Sequence, residues 1–428
     1  MKDTVKDLFD FIAASPSAYH TVDTARRRLL AEGYTELSEG TRPTLKEGGK
    51  YFVTRNGSSL IAFRYHREAD GFLLSASHTD SPSFRVKMSA ESVGAYTRIE
   101  TEPYGGMIYY TWLDRPLSAA GRVFVRTADG MEERLVDLDG DLLTIPSVAI
   151  HMNRAVNDGY KWNPAVDLLP LYGTAEAKGG FLAAIADAAH APTEDILAHD
   201  LFLYNREYGR RIGKDGSLIL APRLDDLGCV FASLEGFLAA KESGKIPVLA
   251  LFDIEEGGSE TKQGAASTFL FDTLRSMAKD DLSAMLHHSF MVSADNAHAK
   301  HPNHPELADA DNAPVLGGGV VIKYNANQHY TTDAYSDAFF RTVCERAGVK
   351  TQRYCNRADI RGGSTLGSIS DTRVSVPTVD IGLPQLAMHS ATETAAASDL
   401  DDMIAALTAF YSAAPKREGN RTIFGERT

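Results

Sequence analysis

The 428-residue sequence predicts an α/β protein whose helix-and-strand rhythm is interrupted by a β-rich insertion. Three observations lead there. Apolar strand-like runs alternate with helical stretches from about residue 223 onward, short β-rich runs separated by turns fill residues 51–77, and strand-like segments dominate residues 89–220. The length exceeds what one ordinary core organises, so we expect a discontinuous domain of residues 1–88 and 221–428 and an inserted domain of residues 89–220.

Taken in order, the amino end MKDTVKDLFDFIAASPSAYHTVDTARRRLL has charges among its apolar positions and reads as an amphipathic helix, not a signal peptide. YFVTR, SLIAFRY and GFLLSAS follow as strands, with Asn56-Gly57 and Asp70-Gly71 as turn signals. In the middle, RIETEP, GMIYYTW, GRVFVRT and ERLVDL are strand-like, and Asp129-Gly130 marks a hairpin. Beyond it, Leu227, Val230, Phe231, Leu234 and Phe237 share one helical face, and the apolar strand IPVLALFD comes next. SFMVSAD, TQRYCNR and PTVDIGL are further strands, DAYSDAFFRTVCERAG is a helix, and LDDMIAALTAFYSAA is the closing helix.

Composition narrows the function classes. A hydrophobic fraction of 43% with 24% charged residues is that of a folded globular chain. A formal charge of −13 argues against nucleic acid and anionic membrane as partners, since both need clustered Lys and Arg. Three cysteines, Cys229, Cys344 and Cys355, make neither a disulfide framework nor a thiolate metal site, so a reducing, cytoplasmic location is expected. No apolar run is long enough to span a bilayer.

The chemistry gathers just beyond the strand ends, where open α/β sheets place their ligands. GFLLSAS runs into His78-Thr79-Asp80, a potential ligand with a carboxylate two residues on to orient it. A lone histidine is more often a hydrogen-bonded structural residue, and Asp225-Asp226 ahead of a helix can be no more than a cap. IPVLALFD is harder to dismiss, because it ends in Glu255-Glu256 before two glycines, and burying adjacent carboxylates is costly without a cation. With Asp295 and His389 after two further strands, the set is hard nitrogen and oxygen, suited to zinc, manganese or cobalt. Two divalent ions sharing one carboxylate are the economical arrangement.

HTDSPSFRVK, RLDD, FDIEEGGS, SADNAHA, GGSTLG and MHS, in this order along nearly the whole chain, resemble the aspartyl aminopeptidase family of zinc metallopeptidases. The resemblance implies a mixed-sheet catalytic domain interrupted by a dimerisation domain, and a homo-oligomer, a tetrahedral dodecamer built from dimers. It implies two ions, with His78 and Asp295 on one, Glu256 and His389 on the other, Asp225 bridging, Glu255 as the base and Asp80 orienting His78. VAIHMNR matches the stretch whose histidine enters a neighbouring subunit's site, nominating His151. Lys323 in GGGVVIKYN matches a lysine that meets an acidic substrate side chain, with His298 nearby and Ser364 and Thr365 of GGSTLG as further substrate contacts. Asp226 departs from the family's usual Asn, and Gly362 from a frequent Cys. The implied activity removes acidic first residues from peptides with a free amino end. The alternatives are a broad or leucine-type aminopeptidase, an N-acyl amidohydrolase with the same ligand types, and a non-catalytic shell or cargo protein.

Overall fold

A computed structural model describes residues 3–41, 43–278, 281–360 and 362–424. Its largest sheet has nine strands in the spatial order Thr35–Leu37, Lys50–Arg55, Ser59–Arg64, Ile246–Phe252, Phe72–His78, Phe290–Ala294, Thr378–Gly382, Val320–Tyr324 and Thr351–Cys355. The sheet is mixed. Ile246–Phe252, Phe72–His78, Phe290–Ala294 and Thr378–Gly382 run parallel, while antiparallel neighbours flank them.

All residues of Phe72–His78 and Ile246–Phe252 are buried, as expected for strands covered on both faces. Side chains alternate between two cores. Leu249 and Leu251 join a cluster with helices Thr4–Ala13, Leu224–Ala239, Ala334–Ala347 and Ala397–Tyr411, whereas Val248, Ala250 and Phe252 join one with helices Phe269–Ala278 and Leu282–His287.

Strands between Ser83 and Asn205 form a six-stranded antiparallel sheet, ordered Gly130–Asp137, Leu117–Thr127, Ile196–Asn205, Ser83–Val93, Tyr96–Tyr104 and Leu171–Thr174. Its own core includes Phe84, Trp112, Val123, Phe181 and Leu201. A five-stranded sheet, Arg210–Ile212, Leu218–Ala221, Glu393–Ala396, Pro384–Leu386 and Ala297–His298, brings late segments of the chain beside the approach to Arg223.

Three local expectations are corrected. The amino end forms two helices, Thr4–Ala13 and Ala18–Ala31, because Pro16 between them lacks an amide donor and fixes its φ. GMIYYTW is not a strand: Tyr109–Trp112 is a 3-10 turn that tucks Trp112 edge-on against Phe84 at 5.4 Å. The helix Ala397–Tyr411 does not close the fold, since a hairpin of Pro415–Glu418 and Arg421–Phe424 follows it. Among the described residues, no helix is long and apolar enough to cross a membrane.

Candidate metal centre

The parallel register aligns the carboxyl ends of the central strands. Phe252 pairs with His78, and Ser293 with Ala76, so the residues just beyond each strand emerge along one edge of the sheet. Asp225 and Asp226 reach the same edge from the head of helix Leu224–Ala239, entered through Arg223 in a left-handed conformation (φ 54°) and a cis Asp225–Asp226 peptide. His389 arrives on a loop, itself left-handed at φ 68°.

The structure brings together six of the residues singled out in the sequence. His78 Nε2 lies 3.5 Å from Asp225 Oδ1, 3.7 Å from Asp295 Oδ1 and 4.0 Å from Glu255 Oε2. His389 Nε2 lies 3.2 Å from Asp225 Oδ2 and 3.3 Å from Glu256 Oε1. Asp225 thus turns one oxygen toward each histidine. The ligand atoms of His78, Asp225, Asp226 and Asp295 lie within 4.8 Å of one another, as do those of Asp225, Glu256 and His389.

Hydrogen bonds set the ring orientations. His78 Nδ1 donates to the Asp80 carbonyl at 3.1 Å, and His389 Nδ1 to the Gly106 carbonyl at 2.9 Å. Carbonyls only accept, so Nδ1 carries a proton in both rings and each Nε2 is left to face the cluster, its lone pair open to a cation when the ring is neutral. The ring of His78 is thus held by the Asp80 carbonyl, with the carboxylate expected to orient it 3.5 Å away; that carboxylate instead accepts the main-chain amides of Glu255 at 3.1 Å and Glu256 at 3.0 Å, fixing the turn that carries both.

Electrostatics show what the cluster lacks. Burial pushes the Glu255, Glu256 and Asp226 carboxyls up, Glu255 and Asp226 well above the usual carboxylate range, and neighbouring carboxylates add to it. Burial works the same way on Asp225, but the His389 and His78 rings beside it outweigh burial and hold that carboxyl low. Burial opposes protonation of His389, yet Asp225 and Glu256 carry it up to about 12. Without a cation this group must collect protons. Asp225 Oδ1, Asp226 Oδ1 and Glu256 Oε1 are buried without a hydrogen-bond partner, and together with two imidazole lone pairs they make a donor set that fits a divalent ion of the zinc class.

A family model described as "Aminopeptidase I zinc metalloprotease (M18)" matches residues 11–411. The chain belongs to the M18 family of aminopeptidases. It is 45% identical over 405 residues to a probable M18 family aminopeptidase 2 of Clostridium acetobutylicum, covering 91% of this chain and 94% of that one. Among solved structures it is similar to that of the Ape4 and Nbr1 complex, with a TM-score of 0.92, 34% identity and coverage of 96% of this chain and 85% of that one. The S. cerevisiae mApe1 dodecamer gives a TM-score of 0.85 at 26% identity, with 96% of each chain covered. As an M18 metallo-aminopeptidase, the chain hydrolyses the amino-terminal peptide bond.

The remaining nominated residues stand outside the ligand set of this M18 chain. Lys323 is only 2% exposed; its Nζ donates to the Asp295 carbonyl at 2.7 Å and the Asn296 carbonyl at 3.3 Å, and lies 3.6 Å from Asp295 Oδ2. The His298 ring is exposed and stands edge-on to Tyr354 at 6.0 Å. Thr365 is buried at the start of helix Leu366–Asp371, its hydroxyl donating to Asp380 at 2.7 Å, while Ser364 is exposed beside it. His151 is exposed on a loop, and among the described residues no hydrogen bond or ion pair links it to the cluster.

Sequence reasoning missed Glu393 and Tyr104 and left Asp226 outside the ligand set. Glu393, 2% exposed, accepts the amides of Asp225 and His389, and Tyr104 donates its hydroxyl to Asp80. An acid four residues past His389, on a segment otherwise made of small residues, was the available signal for Glu393. Tyr104 gave none, because its partner is distant in sequence. Asp226 Oδ2 accepts the His78 amide at 3.1 Å, so this acid supports the metal-facing strand end from behind.

Proposed function

We propose that this aminopeptidase works with two divalent ions of the zinc class, cobalt or manganese serving in their place. His78 and Asp295 would hold one, Glu256 and His389 the other, and Asp225 would bridge. The observation that carries this reading is the two-sided Asp225 carboxylate, with Oδ1 toward His78 and Oδ2 toward His389. When bound, such ions supply Lewis acidity toward the scissile carbonyl and the attacking water.

Glu255 is the base in this reading. It sits at the rim of the cluster with its side chain 15% exposed, and burial holds its proton affinity high. Its carboxylate takes a proton from the attacking water and passes it to the leaving amine. Asp80 holds the Glu255 and Glu256 amides, so the two neighbouring acids keep separate tasks.

For the first residue we propose an acidic preference, with Lys323 as the positive side of the pocket, His298 beside it, and Ser364 and Thr365 as lesser contacts. The support is the Lys323 ammonium beside Asp295 and the position of His298 two residues after Asn296. A broad or leucine-type preference is the second reading, favoured by the bonds that already engage Lys323.

We further propose that residues 89–220 form a dimerisation domain and that the chain builds a homo-oligomer, a tetrahedral dodecamer of dimers, in the cytoplasm. The similarity to the S. cerevisiae mApe1 dodecamer supports the assembly, and three free cysteines suit a reducing compartment. His151 lies between the exposed side chains Val148, Ile150 and Met152, the last 83% exposed, an apolar loop suited to carrying it into a neighbouring subunit.

The test is metal analysis with a substrate panel. Chelation should abolish hydrolysis of aminoacyl amides and zinc, cobalt or manganese restore it; free amines should be cleaved and N-acetylated ones not, and aspartyl faster than leucyl. Full activity in metal-free protein, or equal cleavage of the acetylated substrate, would overturn the reading.

A further inference from the structure

The six-stranded sheet meets the metal centre through one turn. Strand Tyr96–Tyr104 pairs with Ser83–Val93 so that Tyr104 stands opposite Ser83, beside the chain that has just left His78 and Asp80. The register is fixed over several residue pairs, so Tyr104 is delivered there by the sheet and not by a free loop.

From that point the consecutive residues Tyr104-Gly105-Gly106 touch three members of the site. The Tyr104 hydroxyl donates to Asp80 Oδ2. Gly105, at φ 74°, lies against Glu256 so closely that a Cβ there would come within 3.1 Å of the Glu256 Cβ and 3.2 Å of its Oε2. The Gly106 carbonyl takes the proton-bearing Nδ1 of His389 at 2.9 Å. Only glycine accepts both the left-handed backbone and that approach at position 105.

Asp80 is the lever among these contacts. One of its oxygens takes the Glu255 amide and faces His78 Nδ1 at 3.5 Å; the other takes the Glu256 amide and the Tyr104 hydroxyl. Bonds from a neutral donor to a buried carboxylate are short and strong, and each one removed leaves the carboxylate freer to turn. The Tyr104 ring is separately anchored, edge-on to Phe202 at 5.5 Å, so its hydroxyl is presented to Asp80 from a fixed base.

We propose that Tyr104 is a positioning residue for the metal centre. It locks the Asp80 carboxylate and, through the two amides that Asp80 holds, sets Glu255 and Glu256. In this way the β-rich sheet tunes metal affinity and proton transfer without donating a ligand. The inference rests on the reading of the cluster as a metal centre.

Four proteins test it: wild type, Tyr104→Phe, Asp80→Asn and the double variant. Zinc affinity is read by competition with a chelator, kcat and KM on an aminoacyl amide, and the thermal midpoint on chelated protein. Phenylalanine keeps the contact with Phe202, so the midpoint should stay at the wild-type value. Zinc affinity should fall roughly 10-fold, the lower end for loss of a partner behind a ligand, and kcat should fall with KM little changed. The double variant should be no worse than Asp80→Asn, because Tyr104 acts through Asp80.

Unchanged zinc affinity in Tyr104→Phe, or losses that multiply in the double variant, would overturn the inference while leaving the metal centre intact. If Asp80→Asn does not fold, Tyr104→Phe decides alone: a lowered midpoint with wild-type zinc affinity makes Tyr104 a packing residue. Wild type that binds no zinc defeats the metal centre itself, and that outcome is read before any variant.

Discussion

Glu393 Oε2 accepts the main-chain amide of Asp225 at 2.9 Å, across 168 residues of sequence. Its other oxygen accepts the amide of His389 at 2.7 Å. One buried carboxylate therefore ties the head of helix Leu224–Ala239 to the loop that carries His389. Glu393→Ala should weaken zinc binding by roughly 10–100-fold, the cost of losing a partner that orients a ligand. Glu393→Gln, which keeps an acceptor oxygen, should lose less. Zinc content after graded dialysis against a chelator checks the order, and wild-type retention in Glu393→Ala would confine Glu393 to the fold.

Glu255→Gln should retain its metal and lose turnover by roughly 10²–10⁴-fold, as expected when a general base is removed. Loss of metal instead would make Glu255 a ligand and exchange its role with Glu256. His151→Phe should also keep its metal, since His151 lies on an exposed loop. Mixed assemblies of the two variants should recover part of the activity if His151 serves a neighbouring subunit. No recovery in verified mixed assemblies would limit His151 to its own chain.

Lys323→Met should lower kcat/KM on aspartyl substrates by roughly 10–150-fold, the range for a lost charged hydrogen bond. Leucyl substrates should lose much less. The structure also supplies the opposite outcome: because Lys323 Nζ holds the Asp295 carbonyl at 2.7 Å, equal losses on both substrates would show that the lysine keeps Asp295 in place and does not choose the side chain.

His20 gives a stability signal away from the metal. Burial lowers its pKa to about 4, and its Nδ1 shares a 2.8 Å hydrogen bond with Ser17 Oγ. The folded imidazole stays neutral while the unfolded one takes a proton below about 6.5. The stability this represents is therefore full above that pH and is lost as pH falls toward 4. At pH 4.5 the loss amounts to roughly 2–3 kcal/mol. Urea unfolding of chelated protein at pH 7.5 and 4.5 should show His20→Phe gaining on wild type by about that amount at the lower pH, and parallel pH profiles would refute it.

The sequence alone determined the α/β class, the strand-edge positions of His78, Asp225, Glu255, Glu256, Asp295 and His389, and the family. It could do so because buried parallel strands require unbroken apolar runs, and acids or histidines at their ends stand out against them. Pro16, which divides the first helix, was a local signal that the single-helix reading passed over, whereas the inward turn of Tyr109–Trp112 was not legible, since local patterning left that segment compatible with a strand. Nor could the sequence supply the partners of the ligands. Tyr104 and Glu393 meet Asp80, Asp225 and His389 only after strand register and sheet order have fixed their positions, and hydrogen bonds act over about three ångströms of space regardless of sequence separation. Tertiary structure alone decided which oxygen of Asp225 faces which histidine, and that Lys323 lies beneath Asp295 with its ammonium already engaged.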